Sequence, residues 1–80
     1  MKPDELREII RLGYTDIMFT YNDIFGYIDP YYDTKEKRKV YQLVYNRKST
    51  FVYTVDDAMK TPFIDGMCLE EAAEYMEIDV

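Results

Sequence analysis

Residues 14–32, YTDIMFTYNDIFGYIDPYY, constrain the fold more than any other stretch. Ile17, Phe19 and Tyr21 alternate with Asp16, Met18 and Thr20. A period of two marks a strand with one buried face. Asn22-Asp23 follows, and both residue types tolerate the left-handed conformations of a tight turn. A wider turn reaching Ile24 is the alternative. Residues 25–28 read as the return strand, with Gly26 as a candidate bulge. Asp29-Pro30 is expected to end that strand, because proline cannot donate to a ladder. Two strands alone are marginal, so the hairpin needs further strands or a helix over its apolar face.

The flanking segments supply both. Pro3, Asp4 and Glu5 open a helix over 3–12, with acids at the positive end of its dipole. Leu6, Ile9 and Ile10 form its apolar stripe, Arg7 and Arg11 lie outside, and Gly13 reads as a left-handed stop. Residues 40–45 form a third strand with apolar side chains on both faces, as a central strand requires. Val40 and Val44 lie on one face, and Tyr41, Leu43 and Tyr45 on the other. After a polar loop at 46–49, residues 50–55 form a fourth strand. In it Phe51, Tyr53 and Val55 alternate against Thr50, Val52 and Thr54.

Thr54 stands three residues before Asp57, a helix entry, and Thr61-Pro62 ends that short helix. Phe63 and Ile64 return the chain to the core, and Asp65-Gly66 is a turn. Leu69, Ala72, Ala73 and Met76 make the stripe of a last amphipathic helix, with Glu70, Glu71, Glu74 and Glu77 around it. Residues 78–80 read as a tail. The expectation is a single compact α+β domain over 1–80. It has an N-terminal helix, a four-stranded antiparallel sheet of two hairpins, and one short and one amphipathic C-terminal helix.

The N-terminal helix, the strand ending in Tyr21-Asn22, and the run Ile64-Asp65-Gly66-Met67-Cys68-Leu69-Glu70-Glu71 resemble small proteins of Gram-positive bacteria and their phages. Those proteins show Asn-Gly after the tyrosine and Asp-Gly-Lys-Ser-Leu before the last helix. Here Asp23 stands for the glycine, and Met67 and Cys68 for the lysine and serine. The resemblance lies in turn and cap chemistry, and it implies no activity, cofactor or site.

Composition narrows the function classes. The chain has no histidine, which removes the commonest general base and metal ligand. Ser49 has no base near it in sequence. Cys68, the lone cysteine, sits where a helix begins, but nucleophilic chemistry also needs a base and an orienting group. Asp56, Asp57, Asp65, Glu70 and Glu71 follow no ligand spacing of a calcium loop, and helix capping accounts for them. The expectation is a protein that is not an enzyme, with no cofactor and no metal. Residues 1–12 are polar rather than a signal peptide, no apolar run is long enough to span a bilayer, and a cytoplasmic setting fits a single cysteine.

The formal charge of −6 is unevenly spread. Lys35, Lys37, Arg38, Lys39, Arg47 and Lys48 make residues 33–50 basic, whereas residues 56–80 carry eight acids against Lys60. Nine tyrosines and four phenylalanines suit half-buried sheet faces or a binding surface. Three readings follow. The first is a protein-interaction module that meets another protein, or a second copy of itself, through a sheet edge or tyrosine-rich face. The alternative is a phage-type inhibitor whose acidic C-terminal helices, with Glu70, Glu71 and Glu74, imitate nucleic acid before a host nucleic-acid-handling or defence protein. The third is nucleic-acid binding through Lys37, Arg38 and Lys39 beside Tyr31 and Tyr32, which the net charge opposes.

Overall fold

A computed structural model describes residues 1–13 and 15–79; Tyr14, the first residue of the hairpin stretch, and Val80 lie outside the described residues. The elements are α1 (Pro3–Leu12), β1 (Ile17–Tyr21), β2 (Ile24–Asp33), β3 (Arg38–Tyr45), β4 (Lys48–Val52), α2 (Val55–Lys60), α3 (Leu69–Ala72), a 3₁₀ turn (Ala73–Tyr75) and β5 (Glu77–Asp79). The fold is α+β, as expected, but the antiparallel sheet has five strands, in the order β4-β3-β2-β1-β5.

Three hairpin turns, two of them tight, set the register. Asn22 and Asp23 both adopt positive φ (53° and 62°), and so do Asn46 and Arg47 (51° and 65°). Two consecutive left-handed residues match the right-handed twist of the strands they join. The second of these turns needs two residues rather than the four expected, so β4 begins at Lys48. Between β2 and β3, Asp33 caps the wider turn by accepting from the backbone N–H of Lys35 (2.8 Å) and Glu36 (3.2 Å).

Two expectations for β2 fail. The strand does not stop at Asp29-Pro30 but runs on to Asp33, with Pro30 opposite Tyr41. The reason lies in β1, which starts at Ile17 opposite Ile28. Past that point β2 has a neighbour on one side only, where a proline is tolerated. Gly26 is not a bulge either: it is buried in regular register between Phe19 and Tyr45.

The helices follow their sequence signals more closely. α1 has the expected bounds and buries Leu6 and Ile10. Gly13, however, is extended (φ −105°, ψ 167°) rather than left-handed. Thr54 caps α2, its hydroxyl accepting from the Asp57 N–H at 3.0 Å, so β4 ends at Val52 rather than 55. The stripe Leu69, Ala72, Ala73 and Met76 is buried throughout. Yet α3 is a single turn that tightens to 3₁₀ at Ala73. No cation stands in its last turn, and Glu74 opposes the dipole there. The chain is extended by Met76, and the residues expected as helix end and tail pair instead with β1 as β5: Phe19 faces Ile78 and Thr20 faces Glu77.

The core lies on one face of the sheet. Ile17, Phe19, Ile28, Tyr41, Leu43 and Tyr45 share a strand parity and cluster with residues of all three helices. Phe19 stands at the centre, stacked on Tyr45 (6.2 Å between centroids) and edge-on to Phe63 (6.3 Å). The Tyr45 hydroxyl donates to the Tyr21 carbonyl at 2.9 Å, and burial raises its pKa. Phe63 and Ile64 thus return the chain to the core as expected, with Ile64 fully buried.

Candidate functional site

With the helices on one side, the opposite face of the sheet is uncovered. Its residues are those of the other parity, and the register arranges them in cross-strand rows. Asp79, Met18, Tyr27, Val44 and Ser49 form one row. Asp29, Gln42 and Phe51 form the next, and Tyr31 with Val40 the one after. Met18 (44% exposed), Phe25 (55%), Phe51 (49%) and Tyr53 (39%) present large apolar surface to solvent. Phe25 and Tyr27 lie two residues apart on β2 with ring centroids 6.1 Å apart. With Ile24, Val44, Asn46 and Arg47 they line a shallow pocket. At the other end the Arg38 guanidinium lies 4.1 Å from the Tyr53 ring centroid, a cation–π contact that holds its charge over the ring face. Val40 is buried on this face, so the sheet keeps some apolar packing here without helices.

The charges on this face are segregated. Arg38 and Arg47 belong to the β3–β4 half, while Asp16, Glu77 and Asp79 belong to the β1–β5 half. Between them Asp29 is partly buried beside Asp16. Burial raises the Asp29 carboxyl above its ordinary pKa, and the neighbouring Asp16 carboxyl raises it further. The folded chain therefore holds this proton more tightly than the unfolded chain. Its contribution to stability is present at acid pH and lost as pH rises through the folded value. Asp29→Asn is expected to stabilise the protein at pH 7 by about 0.5 kcal/mol, the scale of cross-strand like-charge pairs. The gain should shrink at acid pH, and thermal unfolding at both pH values measures it; a lower Tm than wild type at neutral pH contradicts it.

Strand alternation divides the residues singled out from the sequence. Tyr31 and Arg38 belong to the open face, and Lys37 sits in the β2–β3 turn at φ 55°. Tyr32 and Lys39 pair with each other on the helical side, where Tyr32 is 54% exposed. The Lys39 ammonium donates to the Arg11 carbonyl at 3.3 Å and lies 5.3 Å from the Tyr41 ring centroid. Desolvation there lowers its pKa. The basic run thus points to two sides of the sheet rather than forming one patch. Glu70, Glu71 and Glu74 are exposed on the helical layer. Glu71 is committed to capping, accepting from the Cys68 N–H (3.1 Å) and thiol (3.2 Å), which lowers its pKa. Burial pushes the Cys68 thiol up, away from the thiolate that a nucleophile needs.

Met18, Phe25, Tyr27, Phe51 and Arg47 were not among the sequence candidates. Their signal is apolar residues on both parities of neighbouring strands, which marks two apolar faces but not which one a helix covers. Among the described residues, no three Cys, Asp or Glu side chains converge on a point that could hold a metal ion, and no helix is long and apolar enough to cross a membrane. The chain matches no protein-family model, no curated protein and no solved structure, so the resemblance to small Gram-positive and phage proteins rests on its turn and cap residues alone.

Proposed function

We propose that this chain is a small non-enzymatic protein-interaction module whose binding surface is the open face of the sheet. The observation that carries the reading is the exposure of Met18, Phe25, Phe51 and Tyr53 together on one uncovered face. A contiguous apolar patch with aromatic anchors marks binding surfaces, and a few such anchors dominate their energy. Rigid strands present them, so little order is lost on binding. The test compares wild type with Phe25→Glu/Phe51→Glu as baits for proteins of the source cells. Both sites are exposed, so Tm should change by only a few degrees. Affinity for captured partners should fall by roughly 30-fold or more, the effect of losing a hot spot. Partners held equally well by the variant would refute the reading.

The acidic helical layer supports a second reading, the nucleic-acid mimic. Asp4, Glu5, Asp57, Glu70 and Glu74 are exposed on adjoining helices. Asp56, in contrast, pairs with Arg7, and Glu8 with Arg11 at 2.8 Å. A mimic should bind a basic nucleic-acid-handling protein with an affinity that falls steeply with salt. Reversing Glu70 and Glu74 should abolish that binding, with Glu71 left intact because it caps α3.

A further inference from the structure

We propose that β4 is a strand-addition site: its free edge takes an extended acidic segment of a partner protein, and the pocket on its helical side takes one neutral side chain of that segment. This is a second surface beside the open face and does not depend on it.

The backbone defines the site. β4 ends the sheet, with β3 as its only neighbour among the described residues. In a two-residue hairpin the residues flanking the turn exchange both ladder hydrogen bonds. Here those are Tyr45 and Lys48, and the register repeats the pattern at Leu43 with Thr50 and at Tyr41 with Val52. Ser49 and Phe51, in between, therefore turn their N–H and C=O groups away from β3. Residues 48–51 are all exposed. Residues 49–52 hold neither a charge nor a proline, the devices that commonly blunt an edge. The opposite edge is blunted: β5 is three residues long, and two of them are the exposed acids Glu77 and Asp79. A segment laid along β4 gains main-chain hydrogen bonds at Ser49 and Phe51, the source of affinity in this mode of recognition.

The side chains define the occupant. Lys48 and Thr50 share the parity of Tyr45 and Leu43, on the helical side of the sheet. There they line a pocket of about 270 Å³ together with Tyr45, Phe63 and Asp65. Side chains of an added strand alternate between the two faces, so one of them stands over this pocket. The Asp65 carboxylate, 3.4 Å from the Tyr45 hydroxyl, disfavours an acid inside it. Along the edge the charge has the opposite sign. The β3–β4 hairpin, residues 38–52, carries Arg38, Lys39, Arg47 and Lys48 and no acid, on a chain of net charge −6. Arg47 and Lys48 stand together where β4 begins. An acidic residue of the added segment is attracted at that end, whereas a basic segment meets like charge.

Selection of a library of random short linear peptides against the full chain tests this. The selected sequences should be rich in Asp and Glu among β-branched and aromatic residues. A synthetic peptide of that kind should slow hydrogen exchange at the Ser49 and Phe51 N–H groups, while those of Thr50 and Val52 are protected already in the free chain. Ser49→Pro removes an outward N–H, which an edge strand tolerates, so Tm should change by only a few degrees while affinity for the peptide falls roughly tenfold or more. If that variant does not fold, Lys48→Glu serves. It should weaken binding by roughly tenfold and flatten the dependence on salt. No enriched sequence, enrichment of basic sequences, or a peptide bound equally well by the β4 variants overturns the proposal. Neither variant touches Phe25 or Phe51, so the open-face reading is decided by its own experiment.

Discussion

Gly26→Ala is expected to destabilise the fold by about 3 kcal/mol, the upper end for overpacking a core. An added Cβ would lie 2.5 Å from Cζ and 2.8 Å from Cε2 of Phe19, and 2.6 Å from the Val44 carbonyl oxygen. The ring can move, although Tyr45 and Phe63 hold it from two directions. The carbonyl belongs to β3, the second strand from the β4 edge, and moves only with its ladder. For a chain of 80 residues the total stability is on the order of 4–12 kcal/mol, so one methyl group removes a large share of it. Urea unfolding measures the loss. Phe19→Leu should relieve the ring clash but not the carbonyl clash, so the double variant should be less destabilised than the two single losses predict, by about 1 kcal/mol. A Gly26→Ala protein within about 0.5 kcal/mol of wild type, the additive scatter of ordinary surface changes, would mean that Phe19 does not cross over this glycine.

That crossing also shows where sequence reading stops. Gly26 in a strand signals either a bulge or a close approach, and only the position of Phe19 on the neighbouring strand decides between them. Local chemistry was legible at most turns and caps, although Gly13, read as a left-handed stop, is extended. Asn22-Asp23, Asp65-Gly66 and the Thr54–Asp57 cap all stand where their residue types place them. The apolar stripes of α1 and α3 are buried as their spacing requires. The larger failures concern contacts across the chain. Pro30 stays inside β2 because β1 starts too late to flank it. Two turn residues rather than four after Tyr45 fix the pairing of β4, which sends Val52 toward the core and Phe51 outward. The open face was legible as apolar residues on both parities of β3. Which parity the helices cover depends on packing between distant segments, so Phe25 and Phe51 could not be told from core residues by pattern.

A chain ending at Met76 is expected to lose about 2 kcal/mol, from a few ladder hydrogen bonds of roughly 1 kcal/mol each and partial burial of one isoleucine, less the entropy regained by a freed end. Three residues are too few for periodicity to announce a strand, and their partner Phe19 lies nearly sixty positions earlier. Yet β5 has two physical duties. Ile78 packs against the core beside Phe19, and the backbone of residues 77–79 closes the edge of β1. Without it, β1 offers unpaired N–H and C=O groups next to Met18, a template for another strand. The shortened chain should therefore unfold at lower urea and also aggregate faster near its midpoint, which light scattering during the melt would record. Ile78→Ala separates the two effects, because it removes core packing while leaving the ladder intact. It should show about half the stability loss without the increase in aggregation. Equal aggregation in both variants would assign the protective role to the side chain rather than to the covered edge.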